Sequence, residues 1–127
     1  MAIFIQKFGR LHIEAYHQYC LVKKGVSEGF PFDNKTLVFK VMGKVFALTD
    51  VDEFQSVKLK CDPERAIEFR ADYNGINPGF HMNKKHWNTV DMNKDVPDEL
   101  VFELIDHSYD LVVKSLTKKL QASLASL

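Results

Sequence analysis

His17 and Cys20 stand three residues apart among Ile13, Tyr16, His17 and Cys20. On a helix this spacing could bring an imidazole to a thiol and activate it as a nucleophile. It also places both on the apolar stripe, where a free cysteine acts as a small hydrophobe, so burial is the expectation. His81 and His86 bracket Asn83, Lys84 and Lys85, and with Cys61 or His107 they could offer metal ligands. Their spacing fits no zinc pattern, and two adjacent lysines repel a divalent cation. Asp106, His107 and Ser108 are consecutive; on a helix they project about 100° apart and cannot relay a proton among themselves. No phosphate-cradling GxGxxG or GxxxxGK[ST] pattern occurs. The expectation is a chain without a catalytic constellation, metal site or cofactor.

The remaining chemistry is a surface of cations beside an aromatic. Lys40, Lys58, Lys60 and Trp87, with Lys84, Lys85 and His86 next to them, could neutralise phosphates and stack on a base. The competing reading is solvation of an exposed strand face by its lysines.

The elements that would position these residues follow from periodicity. Helical spacing predicts a first helix over His12–Lys24, ended by Gly25. Ser27–Lys35 carries turn residues around Phe30 and Phe32 and reads as a loop pinned by its phenylalanines. Two-residue alternation over Thr36–Val41 and Lys44–Thr49, across a tight turn at Met42–Lys44, predicts a hairpin with Phe46 and Leu48 facing inward. A third strand carries Val57, Leu59 and Cys61 inward, with Lys58 and Lys60 outward. Asp62 and Pro63 start a second helix, which carries Ala66, Ile67 and Phe69 to about Tyr73. Asn77–Gly79 reads as a turn, followed by short strands over Gly79–Met82 and His86–Met92, in which Trp87, Thr89 and Asp91 face outward and Asn88 inward. A last helix runs from Pro97 to Leu120, with a fraying tail over 122–127.

This order, α-β-β-β-α-β-β-α, indicates an α+β two-layer sandwich, an antiparallel sheet with helices on one face. At 127 residues, 46% apolar and 27% charged, the chain is sized for a single domain spanning 1–127. Residues 1–11 form an N-terminal extension that packs on the domain or on a neighbouring chain. Lys plus Arg and Asp plus Glu each number 17, so strong non-specific DNA binding is disfavoured unless charge is locally segregated. No run approaches a membrane span. Without a secretory signal, Cys20 and Cys61 read as reduced thiols and the location as cytoplasmic.

The stretches GVSEGFPF (Gly25 to Phe32), TLVFKVMGKVFAL (Thr36 to Leu48), VKLKCDPE (Val57 to Glu64), PGFHMNKKHW (Pro78 to Trp87), VPDEL and IDHSYDLVV (Val96 to Val113) resemble the MmcQ/YjbR family, over about Ile13 to Leu120 and in the same order. The resemblance implies a CyaY-like two-layer fold related to that of secretion chaperones. It also implies a non-enzymatic DNA-binding module of "double wing" type, with the hairpin around Met42–Lys44 and the segment Asn83–Trp87 as contact regions. Asn88, where the strand pattern wants an apolar residue, and the first ten residues depart from the family pattern. The iron-handling role that a CyaY-like fold suggests needs an acidic first helix; here that helix offers Glu14 alone and ends in Lys23 and Lys24. The expected nucleic-acid-binding residues are therefore Lys40, Lys58, Lys60, Lys84, Lys85, His86 and Trp87. The rival is a chaperone-like or protein-interaction module, a homodimer among its forms, using Val38, Val45, Ala47 or Trp87 on the open sheet face or the N-terminal arm. An enzyme, third, would need a pocket joining His81, His86 and Tyr109.

Overall fold

The computed structural model describes residues 11–80 and 82–127; His81 and the first ten residues lie outside the described residues. The predicted alternation yields the central strands β2 (Thr36–Val41), β3 (Lys44–Asp50) and β4 (Ser56–Lys60), preceded by helix α1 (Ile13–Leu21) and strand β1 (Val26–Gly29). Helix α2 (Pro63–Asp72), strands β5 (Ile76–Pro78) and β6 (Trp87–Asp91), and helices α3 (Asp98–Ser115) and α4 (Lys118–Ala125) follow. The six strands form one sheet in the order β1-β2-β3-β4-β6-β5, with every neighbouring pair antiparallel. The expected α+β architecture is therefore present.

The helices lie on one face. Their buried residues Tyr16, Cys20, Val101, Leu104, Ile105, Val112 and Leu124 form one core with Leu37, Phe39, Val41, Phe46, Ala47, Val57, Leu59, Ile76 and Val90. Asp62 caps α2 by accepting from the Arg65 amide, with Pro63 in the first turn as predicted. Met42 and Gly43 both have positive φ, +49° and +88°, the backbone that a tight two-residue hairpin turn requires.

Several sequence expectations need correction. Ser27–Lys35 is not all loop, since Val26–Gly29 pairs with β2 as an edge strand. Its exposed Ser27 and Glu28 give no apolar alternation to read. Phe30 and Phe32 are 49% and 68% exposed and do not pin the loop; Asp33 does, its carboxylate accepting from the Lys35 and Thr36 amides. These two amides hold its pKa below the usual carboxylate value. Helix α1 stops at Leu21, before Lys24. Gly25 (φ +73°) leaves room for α4, because a Cβ there would lie 2.6 Å from Leu124 Cδ1. The fifth strand lies over Ile76–Pro78 rather than Gly79–Met82, and Pro78 is tolerated because β5 is the outermost strand. The last helix breaks at Leu116, whose backbone is extended, and Thr117 caps a separate α4 by accepting from the Leu120 amide. Ile67, grouped with the apolar face of α2, is 64% exposed.

The correction that matters most for function lies in β3. The register with β2 shifts between Phe39 and Lys40, so Phe46 and Ala47 both face the core and the alternation restarts one residue late. Leu48 therefore points to the face that no helix covers, where it is still only 6% exposed, and Ala47 points to the helix side rather than to the open face. The bulge is stitched by α3. The buried Ser108 hydroxyl donates to the Phe46 carbonyl (2.6 Å) and accepts from the Lys60 amide (2.9 Å).

Candidate nucleic-acid interface

Cross-strand pairing fixes what the uncovered face presents. One rung crosses all six strands: Gly29, Val38, Leu48, Lys58, Thr89 and Asn77. Towards one end of the strands lie the pairs Lys40–Val45 and Lys60–Trp87; towards the other lie Thr36–Asp50 and Ser56–Asp91. Lys40, Lys58, Lys60, Trp87 and Thr89 thus share the face expected for them, but Thr89, with Val38 and Leu48 in the central rung, is buried rather than exposed, and the lysines and Trp87 are half-buried. Lys58 and Lys60 are two positions apart on one strand, about 7 Å; Lys40 is two strands from Lys60, roughly 10 Å.

Charge divides along the strands. At the Asp50 end stand Asp50, Asp52, Glu53 and Asp91, and the cations there are paired, Lys35 to Asp52 at 3.9 Å and Lys94 to Asp91 at 3.2 Å. Among the described residues, Lys40, Lys60, Lys84 and Lys85 form no ion pair. Lys84 and Lys85 are exposed in the turn leading into Trp87, while His86 is half-buried and its carbonyl accepts from the Cys61 amide at 2.7 Å. The Lys58 ammonium donates to the Phe80 carbonyl at 2.9 Å, so part of its hydrogen-bonding capacity is already taken.

Periodicity alone does not account for Asn88; the structure does. Asn88 is 2% exposed, and its Oδ1 accepts from Arg70 Nε of α2 at 2.7 Å. The same guanidinium donates to the carbonyls of Lys84 and Trp87. One buried polar pair thereby ties the 84–87 segment to α2, and Gly79 packs against Trp87, where a Cβ would come within 2.8 Å of the Trp87 Cβ. Arg70 and the exposed Phe80 were not among the expected site residues. Nothing in α2 marks Arg70, but an aromatic following Pro78–Gly79 was a readable signal.

The other chemical candidates resolve into structural roles. Cys20 is fully buried, and burial pushes its thiol up to about 12. His17 instead contacts Glu28 at 2.8 Å. Asp106 accepts from Tyr19 and from Lys23 (2.5 Å), joining α1 to α3, and burial together with that carboxylate pushes the Tyr19 phenol up to about 12. Tyr109 gives its hydroxyl to the Lys24 carbonyl. No group of three or more His, Cys, Asp or Glu that could hold a metal occurs among the described residues; His81 lies outside them. No described helix is long and apolar enough to cross a membrane. The Met42–Lys44 hairpin tip, expected as a wing, is docked rather than free. Met42 packs on the core, and Lys44 Nζ reaches the Ser115 carbonyl at 3.4 Å.

The chain is similar to known proteins in sequence and in fold. The chain is 33% identical over 111 residues to uncharacterized protein YjbR of Escherichia coli (strain K12), covering 87% of this chain and 94% of that protein. It is 38% identical over 91 residues to uncharacterized protein YbdF of Escherichia coli O157:H7, covering 71% and 75%. The crystal structure of Deinococcus radiodurans protein DR2400, a DUF419 domain, superimposes with a TM-score of 0.85 at 40% identity, over 92% of this chain and 90% of that one. The YjbR family model matches residues 21–111, and with these relatives it establishes that the chain belongs to the YjbR family.

Proposed function

We propose that this chain is a non-enzymatic DNA-binding module whose contact surface is the basic end of the uncovered sheet face. The observation that carries the reading is the separation of charge along the strands. Lys40, Lys60, Lys84 and Lys85 lack carboxylate partners among the described residues and lie towards the Trp87 end of the strands, while Asp50 and Asp91 stand at the far end. A neutral total charge would oppose phosphate binding if the signs were interspersed, but segregation leaves a local positive field. The commitment of Cys20, Asp106, Ser108 and Tyr109 to packing or hydrogen bonds supports a binding role over a catalytic one.

Titration of labelled DNA at low and at moderate salt tests this. Binding should weaken steeply with salt, and Lys60→Gln with Lys84→Gln should lower the slope of log K against log[salt] by roughly 1 to 2. Absence of binding at low salt, or binding indifferent to both replacements, would overturn the reading.

A further inference from the structure

We infer that the ligand of this face is single-stranded nucleic acid, with bases stacked on Trp87 and Phe80 and phosphates on Lys58, Lys60, Lys84 and Lys85. The inference rests on the proposed nucleic-acid reading and narrows it from DNA in general to an unpaired strand.

Shape argues first. Five strand spacings make the sheet roughly 24 Å wide, whereas the major groove of duplex DNA is about 12 Å wide and admits a helix or a two-stranded ribbon. The one ribbon tip next to the basic end, Met42–Gly43, is packed against the body through Met42 and Lys44. A sheet of this breadth, with its nearest projection docked, is poorly shaped to enter a groove; unpaired bases need only the aromatic surface at its basic end, where Phe80 is 57% exposed and Trp87 half-buried.

The second argument is where the aromatics sit. Trp87 begins β6 as the cross-strand partner of Lys60. The Gly79 amide donates to the Trp87 carbonyl at 2.8 Å, and Phe80 follows directly on this paired residue. Phe80 is 57% exposed, with its carbonyl held by Lys58. Two aromatics with lysines beside them are the stacking platform and phosphate track that unpaired strands use, each stacked base contributing about 1–3 kcal/mol. Arg70, through Asn88 and the carbonyls of Lys84 and Trp87, fixes this platform before any ligand arrives.

Trp87 is the only tryptophan in the chain, so its fluorescence reports on the site. The full chain is titrated at low salt with oligo-dT and oligo-U of roughly ten nucleotides and with a blunt duplex of similar charge. The expected result is quenching by a single strand and affinity at least about tenfold tighter than for the duplex. Phe80→Ala and Trp87→Phe should each weaken single-strand binding about 5- to 100-fold while leaving duplex binding nearly unchanged. Tighter binding of oligo-dT than of oligo-U assigns DNA; the reverse assigns RNA; either supports the inference. Duplex binding equal to or tighter than single-strand binding, or binding without a fluorescence change, overturns it while leaving the proposed nucleic-acid role intact. Failure of all three probes to bind overturns both. Phe80→Ala removes an exposed side chain, so lost affinity there cannot be put down to misfolding.

Discussion

His107 meets donors at both ring nitrogens. Its Nε2 accepts from the Asp62 amide at 3.1 Å, which leaves the proton of the neutral ring on Nδ1, and Nδ1 lies 3.2 Å from the Arg65 guanidinium. Burial first, and then the Arg65 charge, hold its pKa below the ordinary histidine value; Asp62 and Asp110 oppose this and Lys114 adds to it. A depressed histidine pKa means that the unfolded chain takes up the proton first. The stabilisation is therefore complete above about pH 6.5 and declines as pH falls towards the folded-state pKa. His107→Gln should accordingly flatten the fall in melting temperature between about pH 7 and pH 5; an unchanged slope would remove His107 from the account. At this scale the sequence was a fair guide to which residues share a face, because alternation alone puts Lys58, Lys60, Trp87 and Thr89 together. It could not reveal Arg70, whose role depends on α2 passing beside β6, nor that Lys58 is held by a main-chain oxygen.

Between elements, the joint that matters is the one Ser108 makes. The bulge at Phe46 and Ala47 shifts the β2–β3 register, the β3–β4 ladder ends beside it at Ala47–Leu59, and a helix hydroxyl partners the Phe46 carbonyl and the Lys60 amide just beyond that end. Ser108→Ala would leave two buried main-chain groups unpaired and should cost about 1–3 kcal/mol, measurable by urea unfolding. A loss below about 0.5 kcal/mol would mean that water or a relaxed ladder takes over. Strong apolar alternation made β2, the hairpin turn and β4 legible, and Pro63 after Asp62 located α2. The bulge was not legible, since Lys44 to Thr49 alternates convincingly in either register and only pairing with β2 decides between them. Strand β1 and the break before Thr117 were missed for a related reason: an exposed edge strand has no apolar period, and a helix interruption that keeps Leu116 and Leu124 buried preserves one.

Across the molecule, a formal charge of zero conceals a face with opposite signs at its two ends. Asp91 lies four residues along β6 from Trp87, roughly 13 Å, which is beyond the screening length at physiological salt but well inside the roughly 30 Å that applies at 0.01 M. Asp50→Asn with Asp91→Asn should therefore tighten oligonucleotide binding several-fold at about 0.01 M salt and have almost no effect at about 0.15 M. No change at the lower salt would show that the far end is not felt by the ligand. The sheet has unequal margins as well. In β5 the Gly79 amide and the Gly75 carbonyl turn towards β6, so Ile76 and Pro78 turn outward. The Ile76 amide is spent on the Tyr73 carbonyl, and Pro78 has none to give. In β1 the backbone groups of Val26 and Glu28 face away from β2 by the same alternation. Among the described residues, then, β1 is the margin that offers outward amides, and copies joined there would meet β1 to β1, a contact that closes on itself at two rather than handing on a described edge from which a fibre could grow.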